Sequence, residues 1–290
     1  MAVKIAGRYR RCVTAWTRRT LALAMALGLL LVGSTDRAAR ADGIMLIQAG
    51  AFWMGSDSDA PDEGPQHRVY VRDFWLERHK VTNRELARFL DARGLRSPEG
   101  LDYFDHDDPD ARIHRSDGRF VADPGFEDHP AVEVTWYGAR DYCRGRPERL
   151  PPETGREKAG RGGDGRRYPG GDAPPAPDLA VYGRGYNATD RGDRRPAGEG
   201  PSGVQDLLGN LREWTASEYR PYPYRPDDGR EALALRTTRV VRGASHDDPA
   251  HALRVTIRRF YSYDGDHRGL ARGHHHTGFR CATSEDLGGR

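Results

Sequence analysis

The segment 239–281 constrains the fold of this chain more than any other. It begins with RVVRGAS and ends with TGFRC. Short β-branched or aromatic runs beside glycine are typical of buried strands, so we expect Val240, Val241 and Phe279 to lie in the core. The residues between the two runs are polar and rich in histidine. They suit either the wall of a cleft or a solvated loop between two strands.

Glycine and proline restrict the fold further. The chain of 290 residues contains 35 glycines and 19 prolines, and 37% of its residues are hydrophobic. This composition predicts a loop-rich fold of short elements, held by aromatic packing rather than by long helices. The length is sufficient for one large domain with its own core.

The first 41 residues are predicted to be a secretory signal peptide. Basic residues between Lys4 and Arg19 precede the apolar run LALAMALGLLLV, and Ala39 and Ala41 are the small residues that a signal peptidase reads. The run is shorter than the roughly 20 residues of a membrane-spanning helix; an uncleaved anchor is the alternative. We therefore expect a periplasmic or secreted protein with one domain over residues 42–290 and no stable membrane span after cleavage.

The export route and the charge follow from the same leader. A paired arginine directly before the apolar run permits twin-arginine export as well as the general secretory route. Without residues 1–41 the chain has 38 basic and 42 acidic side chains, a net charge near −4. The basic character of the whole chain belongs mostly to the leader, so we expect no nucleic-acid partner.

Two cysteines remain after the leader. They are Cys143 and Cys281. An even pair in an exported protein favours a disulfide, and two buried thiols are the alternative.

Local signals predict helices and strands. Thr82 and Glu85 form a capping-box sequence before an amphipathic helix. Thr135 is placed to cap a second helix, whose inward face includes Cys143. Residues 44–55 are predicted to form a strand, a turn at Gly50 and a second strand. Further strands are predicted at residues 69–75 and 129–136, and a short helical turn is predicted to end at residues 160–163.

Two stretches are rich in oxygen ligands. Asp206 and Glu213 offer carboxylates with backbone carbonyls between them, and oxygen-only ligation at this density suits Ca²⁺. The same sequence also fits an ordinary structure in which Asp206 caps a turn and Glu213 pairs with an arginine. Residues 105–108 (DHDD) lie in a long polar loop, and loops of this length are often functional, but adjacent residues seldom all face one ion.

Ten short motifs follow one another in a specific order. They are Gly50–Ser56, Glu63–His67, Phe74–Leu76, Val81–Asn83, His129–Pro130, Arg149–Glu153, Arg161–Gly163, Gly209–Trp214, Arg242–Ser245 and Gly278–Cys281. In this order they resemble the formylglycine-generating-enzyme (sulfatase-modifying factor) family. The resemblance covers nearly all of residues 44–283, and the ordered set is specific although each motif alone is weak.

The resemblance implies a compact α+β fold with little regular secondary structure, related to the C-type lectin fold. It also implies a disulfide between Cys143 and Cys281, in agreement with the cysteine count. A structural Ca²⁺ is implied as well, and a second family calcium site uses an asparagine where this chain has Ala180. The residues that match the first calcium site are Asp206, Glu213 and the backbone of Leu207, Gly209 and Leu211.

The chain departs from the family at the cysteines that carry out the family reaction. Formylglycine-generating enzymes bind copper and activate O₂ with two cysteines that follow the RGAS-like element. Here that segment, residues 246–253, reads HDDPAHAL. Thiolates select Cu(I), so we do not expect this chain to run the copper reaction. Arg156, Gly170 and Arg212 stand where the family has tryptophans.

The first functional hypothesis is an exported accessory or maturation factor, like the family members that serve copper nitrite reductase or siderophore maturation. Its substrate would be a protein or peptide-derived molecule, or it would serve an exported partner enzyme. If it is an enzyme, it is an oxidoreductase that uses a non-haem metal or no cofactor, since histidines bind iron or copper well. The candidate cleft residues are His246, Asp248, His251, Arg254, Arg258 and the run His274–His276.

The second hypothesis is a non-catalytic module. The lectin-related scaffold would then present a pocket for a ligand or a partner, with Ca²⁺ only structural, and the missing cysteines favour this view. The run His274–His276 could also be a surface feature with no role. Its three histidines cannot all face one cleft, because neighbours in a strand alternate sides, so we expect at most two of them to matter.

Overall fold

The computed structural model describes residues 43–234, 236–263 and 269–284, so the predicted signal peptide lies outside the described residues. Four strands come first in the chain, and the three helices lie between later strands. The strands are β1 (Ile44–Ile47), β2 (Gly50–Met54), β3 (His67–Val71), β4 (Phe74–Glu77), β5 (Ile113–Ser116), β6 (Arg119–Ala122), β7 (Arg212–Glu218), β8 (Thr238–Arg242), β9 (Arg258–Ser262), β10 (Thr277–Gly278) and β11 (Ala282–Thr283). The helices are α1 (Asn83–Arg93), α2 (Trp136–Arg144) and α3 (Glu153–Arg161).

Two sheets share the C-terminal segment of the described chain. One sheet has the order β1-β4-β11, and the other has the order β10-β7-β8-β9, in which β10 and β7 are parallel. Strand pairs β2-β3 and β5-β6 form separate hairpins. Because β10 joins one sheet and β11 the other, residues 277–283 fasten the two sheets together.

The capping signals read from the sequence are confirmed. The Thr82 side chain accepts from the Glu85 backbone N–H, and the Glu85 carboxylate accepts from the Thr82 N–H at 2.8 Å. Gly94, with φ of 77°, ends α1. The Thr135 hydroxyl caps α2 by accepting from the Gly138 N–H at 3.0 Å.

The main core is aromatic, as the composition predicted. Trp136 and Trp214 are fully buried, and their indole N–H groups donate to Thr215 O at 2.9 Å and Val134 O at 3.0 Å. Val240, Val241 and Phe279 are also fully buried, so the predicted core positions are confirmed. The predicted disulfide is present as well: Cys143 of α2 is bonded to Cys281, with Cα atoms 5.6 Å apart.

Two predicted strands differ from the structure. The run 69–75 is broken between β3 and β4 at Arg72 and Asp73, because β3 pairs with β2 while β4 pairs with β1. Residues 129–136 do not form a strand; they make only isolated bridges, Pro130 to Thr82 and Val134 to Phe104.

Within the described ranges, no helix has both the length and the apolar character to cross a membrane.

Candidate functional site

The segment predicted to hold Ca²⁺ is neutralised by cations of the chain itself. The Glu213 carboxylate accepts from Arg156 at 2.8 and 2.9 Å and from Arg280 at 2.8 and 3.0 Å. Lys80 Nζ lies 2.8 Å from Asp206 Oδ2 and 3.6 Å from Glu213 Oε1. These five side chains are at most 7% exposed. Two carboxylates thus face three cations inside the protein.

This arrangement does not fit a calcium ion. Arg156 also donates to Leu207 O, so one of the backbone carbonyls expected as ligands already has a donor. Arg280 donates to the neighbouring Asp206 O at 3.3 Å. Burial alone would raise the pKa of Glu213, but Arg156, Arg280 and Lys80 outweigh burial and hold it well below its usual range. The alternative reading, an arginine pair for Glu213, describes this segment. The predicted calcium set that does not fit is Asp206, Leu207, Gly209, Leu211 and Glu213.

Asp248 is held as a structural anion. Arg212 donates to it three times at 2.9–3.1 Å, and Arg259 donates at 2.9 Å. The Ser245 N–H and hydroxyl add two further bonds at 2.9 Å. With both oxygens so occupied, the carboxylate fixes the turn after β8 and is not free to act as a base or a metal ligand.

Three other predicted cleft residues have structural or surface positions. Arg254 Nε lies 2.9 Å from the buried carboxylate of Glu63. Arg258 donates to Glu153 at 2.9 and 3.1 Å, and its guanidinium carbon lies 3.9 Å from the centroid of the Tyr222 ring. His251 is exposed. The described contacts of Arg254 and Arg258 therefore stabilise the fold rather than form a cleft.

His246 is a predicted cleft residue that keeps an available ligand atom. Its side chain is fully buried and its Nδ1 lies 3.0 Å from Asn210 O, a carbonyl that can only accept. Nδ1 is therefore assigned the proton, which leaves the lone pair on Nε2, and Nε2 has no hydrogen-bond partner. Burial lowers the pKa of His246. The imidazole is neutral at pH 7 and suited to ligation or proton transfer.

The three consecutive histidines lie just before and in a turn that leads to β10, not within a strand. The His275 ring is 6.0 Å from the His246 ring and 4.4 Å from the Tyr186 ring. His274 stacks on Tyr261 at 4.2 Å, and the Tyr261 hydroxyl lies 2.8 Å from His276 Nε2. The three histidines do not form the predicted strand; the turn directs His275 one way and its two neighbours towards Tyr261.

His275 faces a group of acids. Asp110, Glu133 and His275, which we call the acid–histidine pocket, each place one ligand atom within 4.8 Å of the others. A second triplet, Asp105, Asp108 and Glu133, meets the same distance limit. Glu133 belongs to both, so it joins the pocket to the loop that contains residues 105–108.

Glu133 occupies an unusual position for a carboxylate. It is 1% exposed, its φ is 56°, and its Oε2 has no hydrogen-bond partner. A positive φ in a residue other than glycine costs on the order of 1–3 kcal/mol, and such strain concentrates at functional sites. Burial, with added repulsion from Asp108, Asp105 and Asp110, raises the pKa of Glu133 to about 9.

Sequence reasoning passed over Asp110 and Glu133. The available signal was a glutamate between two valines in the run HPAVEVTW, a charged residue in an apolar stretch. A strand over that run, which the sequence predicts, would place Glu133 on the face opposite Val132 and Val134.

The comparisons with known proteins agree with the motifs. The family described as "Sulfatase-modifying factor enzyme 1-like domain" matches residues 31–285. The chain is 34% identical to serine/threonine-protein kinase Pkn1 of Chlamydia trachomatis serovar L2 over 180 residues, which are 61% of this chain and 28% of the kinase. It thus spans less than a third of that relative.

Two further relatives are matched over most of their length. "Inactive C-alpha-formylglycine-generating enzyme 2" of Bos taurus is 30% identical over 279 residues, covering 82% of this chain and 86% of the relative. The solved structure of PvdO from Pseudomonas aeruginosa has a TM-score of 0.62 and 26% identity, covering 82% of this chain and 93% of PvdO. The predicted loop-rich α+β fold, related to C-type lectins, is confirmed. This chain belongs to the sulfatase-modifying factor, or formylglycine-generating enzyme, family.

Proposed function

We propose that this protein is an exported accessory or maturation factor that acts on a protein or peptide-derived substrate without the copper–thiolate reaction of formylglycine-generating enzymes. One observation carries the proposal: both cysteines of the described residues, Cys143 and Cys281, are joined in a buried disulfide. The segment 246–253 offers imidazole and carboxylate groups instead. Since soft thiolates are what select Cu(I), the family reaction lacks its metal ligands here.

His246 supports an active role for the same segment. It is a neutral imidazole with a free Nε2, and its ring lies beside His275. Such a group can hold or move a proton for a bound substrate, or ligate a metal such as iron. If the protein is catalytic, oxidoreductase chemistry through these groups is the form that we propose.

A non-catalytic binding module is the second candidate. The two arginines bonded to Asp248 favour it, because this predicted cleft acid, two residues after His246, is already neutralised. The bovine relative that carries the word "inactive" in its name supports the same view.

The test compares exported proteins and peptides from the native host by mass spectrometry. Strains would carry the intact gene, a deletion, His246→Ala or the control His114→Ala, whose side chain is 52% exposed and lies outside the segment 246–253. With O₂ as the electron acceptor, we expect one exported molecule to lose two hydrogens or gain oxygen only with the intact gene and the His114→Ala control. A molecule that co-purifies without a mass change would support the binding module, and formylglycine formation on a cysteine peptide with copper would overturn the proposal.

A further inference from the structure

We propose that Asp110, Glu133 and His275 bind one divalent first-row transition metal ion, of the Mn²⁺, Fe²⁺ or Zn²⁺ class. The site goes beyond the proposed function and does not depend on it. Two carboxylates and an imidazole are hard and borderline ligands, which suit these ions better than Cu(I) or Ca²⁺.

The spacing of the ligand atoms is close to what one ion requires. Metal–ligand bonds of this class are about 2.0–2.2 Å long, so two ligands on opposite sides of an ion lie roughly 4 Å apart. The three atoms already lie within 4.8 Å of one another. Small side-chain rotations would bring them to bonding distance without a movement of the backbone.

The second observation is the buried oxygen of Glu133. Its side chain is 99% buried, and Oε2 makes no hydrogen bond although it belongs to the cluster. A carboxylate placed in this way is costly unless it is protonated or compensated by a cation. The ion pairs recorded for the surrounding acids are Arg272 to Asp105 at 3.2 Å and His275 to Asp110 at 3.7 Å. Arg272 is 60% exposed, so among the described residues no buried lysine or arginine pairs with these acids.

The outer contacts orient the ligands. The Tyr186 hydroxyl donates to Asp110 Oδ2, and Asn187 Nδ2 donates to Asp110 Oδ1 at 3.3 Å. His275 Nδ1 faces Asp110, while its Nε2 lies 3.9 Å from Asp247 Oδ2. A carboxylate near the far nitrogen of a metal-binding histidine is a common outer contact, and at 3.9 Å Asp247 lies close to that nitrogen but outside hydrogen-bond distance.

Backbone contacts hold the loop that contains Glu133 against the turn that contains His275. Glu133 N donates to His274 O at 3.3 Å, and a Cβ added at Gly273 would lie 2.2 Å from Glu133 O. Only glycine allows the histidine turn to pack this closely on residue 133. The ligands on these two loops are therefore positioned before any ion binds.

Binding would be measured by electron paramagnetic resonance with Mn²⁺. The purified protein, stripped with chelator and freed of any affinity tag, would be titrated while the sharp signal of free Mn²⁺ is followed. We expect one Mn²⁺ per chain, and Zn²⁺ should displace it while equimolar Ca²⁺ should not. Absence of binding, or displacement by Ca²⁺ as readily as by Zn²⁺, would overturn the proposal.

Variants assign the ion to the pocket. Glu133→Gln and His275→Ala should each weaken Mn²⁺ binding by at least about 100-fold. Asp107→Asn is the matched control, because Asp107 belongs to the same acidic loop but its side chain is 86% exposed and lies outside both triplets. Circular dichroism would verify that each variant is folded. Since His275 is only half-buried, its variant keeps the test decisive if Glu133→Gln fails to fold; unchanged affinity in the folded variants would refute the assignment.

Discussion

Replacement of Glu213 by glutamine tests whether cations of the chain occupy the family calcium position. The change keeps the shape of the side chain and removes its charge. Arg156 and Arg280, both at most 3% exposed, would then lose the carboxylate that each contacts twice. Lys80 would keep Asp206 at 2.8 Å.

The expected cost follows from the number of cations left without a partner. Removal of one partner of a buried ion pair costs about 3–5 kcal/mol. Here the Glu213 carboxylate pairs with two guanidinium groups, those of Arg156 and Arg280. We therefore expect Glu213→Gln to lower the free energy of unfolding by about 5 kcal/mol. Arg156→Gln should cost less, about 3 kcal/mol, because Glu213 keeps Arg280 and Lys80.

The assay is urea unfolding followed by circular dichroism, without reducing agent, in EDTA and again in excess Ca²⁺. The wild-type midpoint should be the same in both. The control is Arg84→Ala, whose 3.2 Å pair with Asp128 is about half exposed on both sides and should cost less than about 1 kcal/mol. The reasoning would be refuted if Ca²⁺ raised the wild-type midpoint and Glu213→Gln abolished that effect.

Three other changes have defined outcomes. The disulfide spans 138 residues, so Cys143→Ala with Cys281→Ala should cost up to about 5 kcal/mol by chain entropy; a loss in thermal unfolding under about 1 kcal/mol would contradict this estimate. Thr82→Ala removes the capping hydroxyl of α1 and should cost about 1 kcal/mol in urea, whereas an unchanged midpoint would show that the cap is not needed. Burial lowers the pKa of His79, so the unfolded chain binds the proton more readily and stability should fall as the pH drops below about 6.5. His79→Gln should flatten that dependence, and equal slopes for both proteins would exclude His79 as the cause.

Features encoded by neighbouring residues could be predicted from the sequence. The capping box of α1 needs only Thr82 and Glu85, three residues apart, and both of its bonds are present. The core positions of β8 and Phe279 also follow from local apolar runs. The break between β3 and β4 could not be predicted, because it depends on which strands they pair with.

The candidate site depends on contacts between distant parts of the chain. Glu213 resembles a calcium ligand in isolation, and its partners Lys80, Arg156 and Arg280 come from three separate segments. The sequence predicts a strand at Glu133, but this residue has a positive φ and lies in a pocket with His275, which is distant in the chain. The spacing of residues in the sequence carries no information about contacts between such distant segments.

The metal content of the protein purified from its native host tests the central claim most directly. The claim is that this family member replaces thiolate and calcium ligation with an acid–histidine pocket. We predict close to one Mn, Fe or Zn per chain by mass spectrometry, with neither copper nor calcium in stoichiometric amount, and loss of that metal in Glu133→Gln. Stoichiometric calcium or copper, unchanged in the variant, would contradict the account.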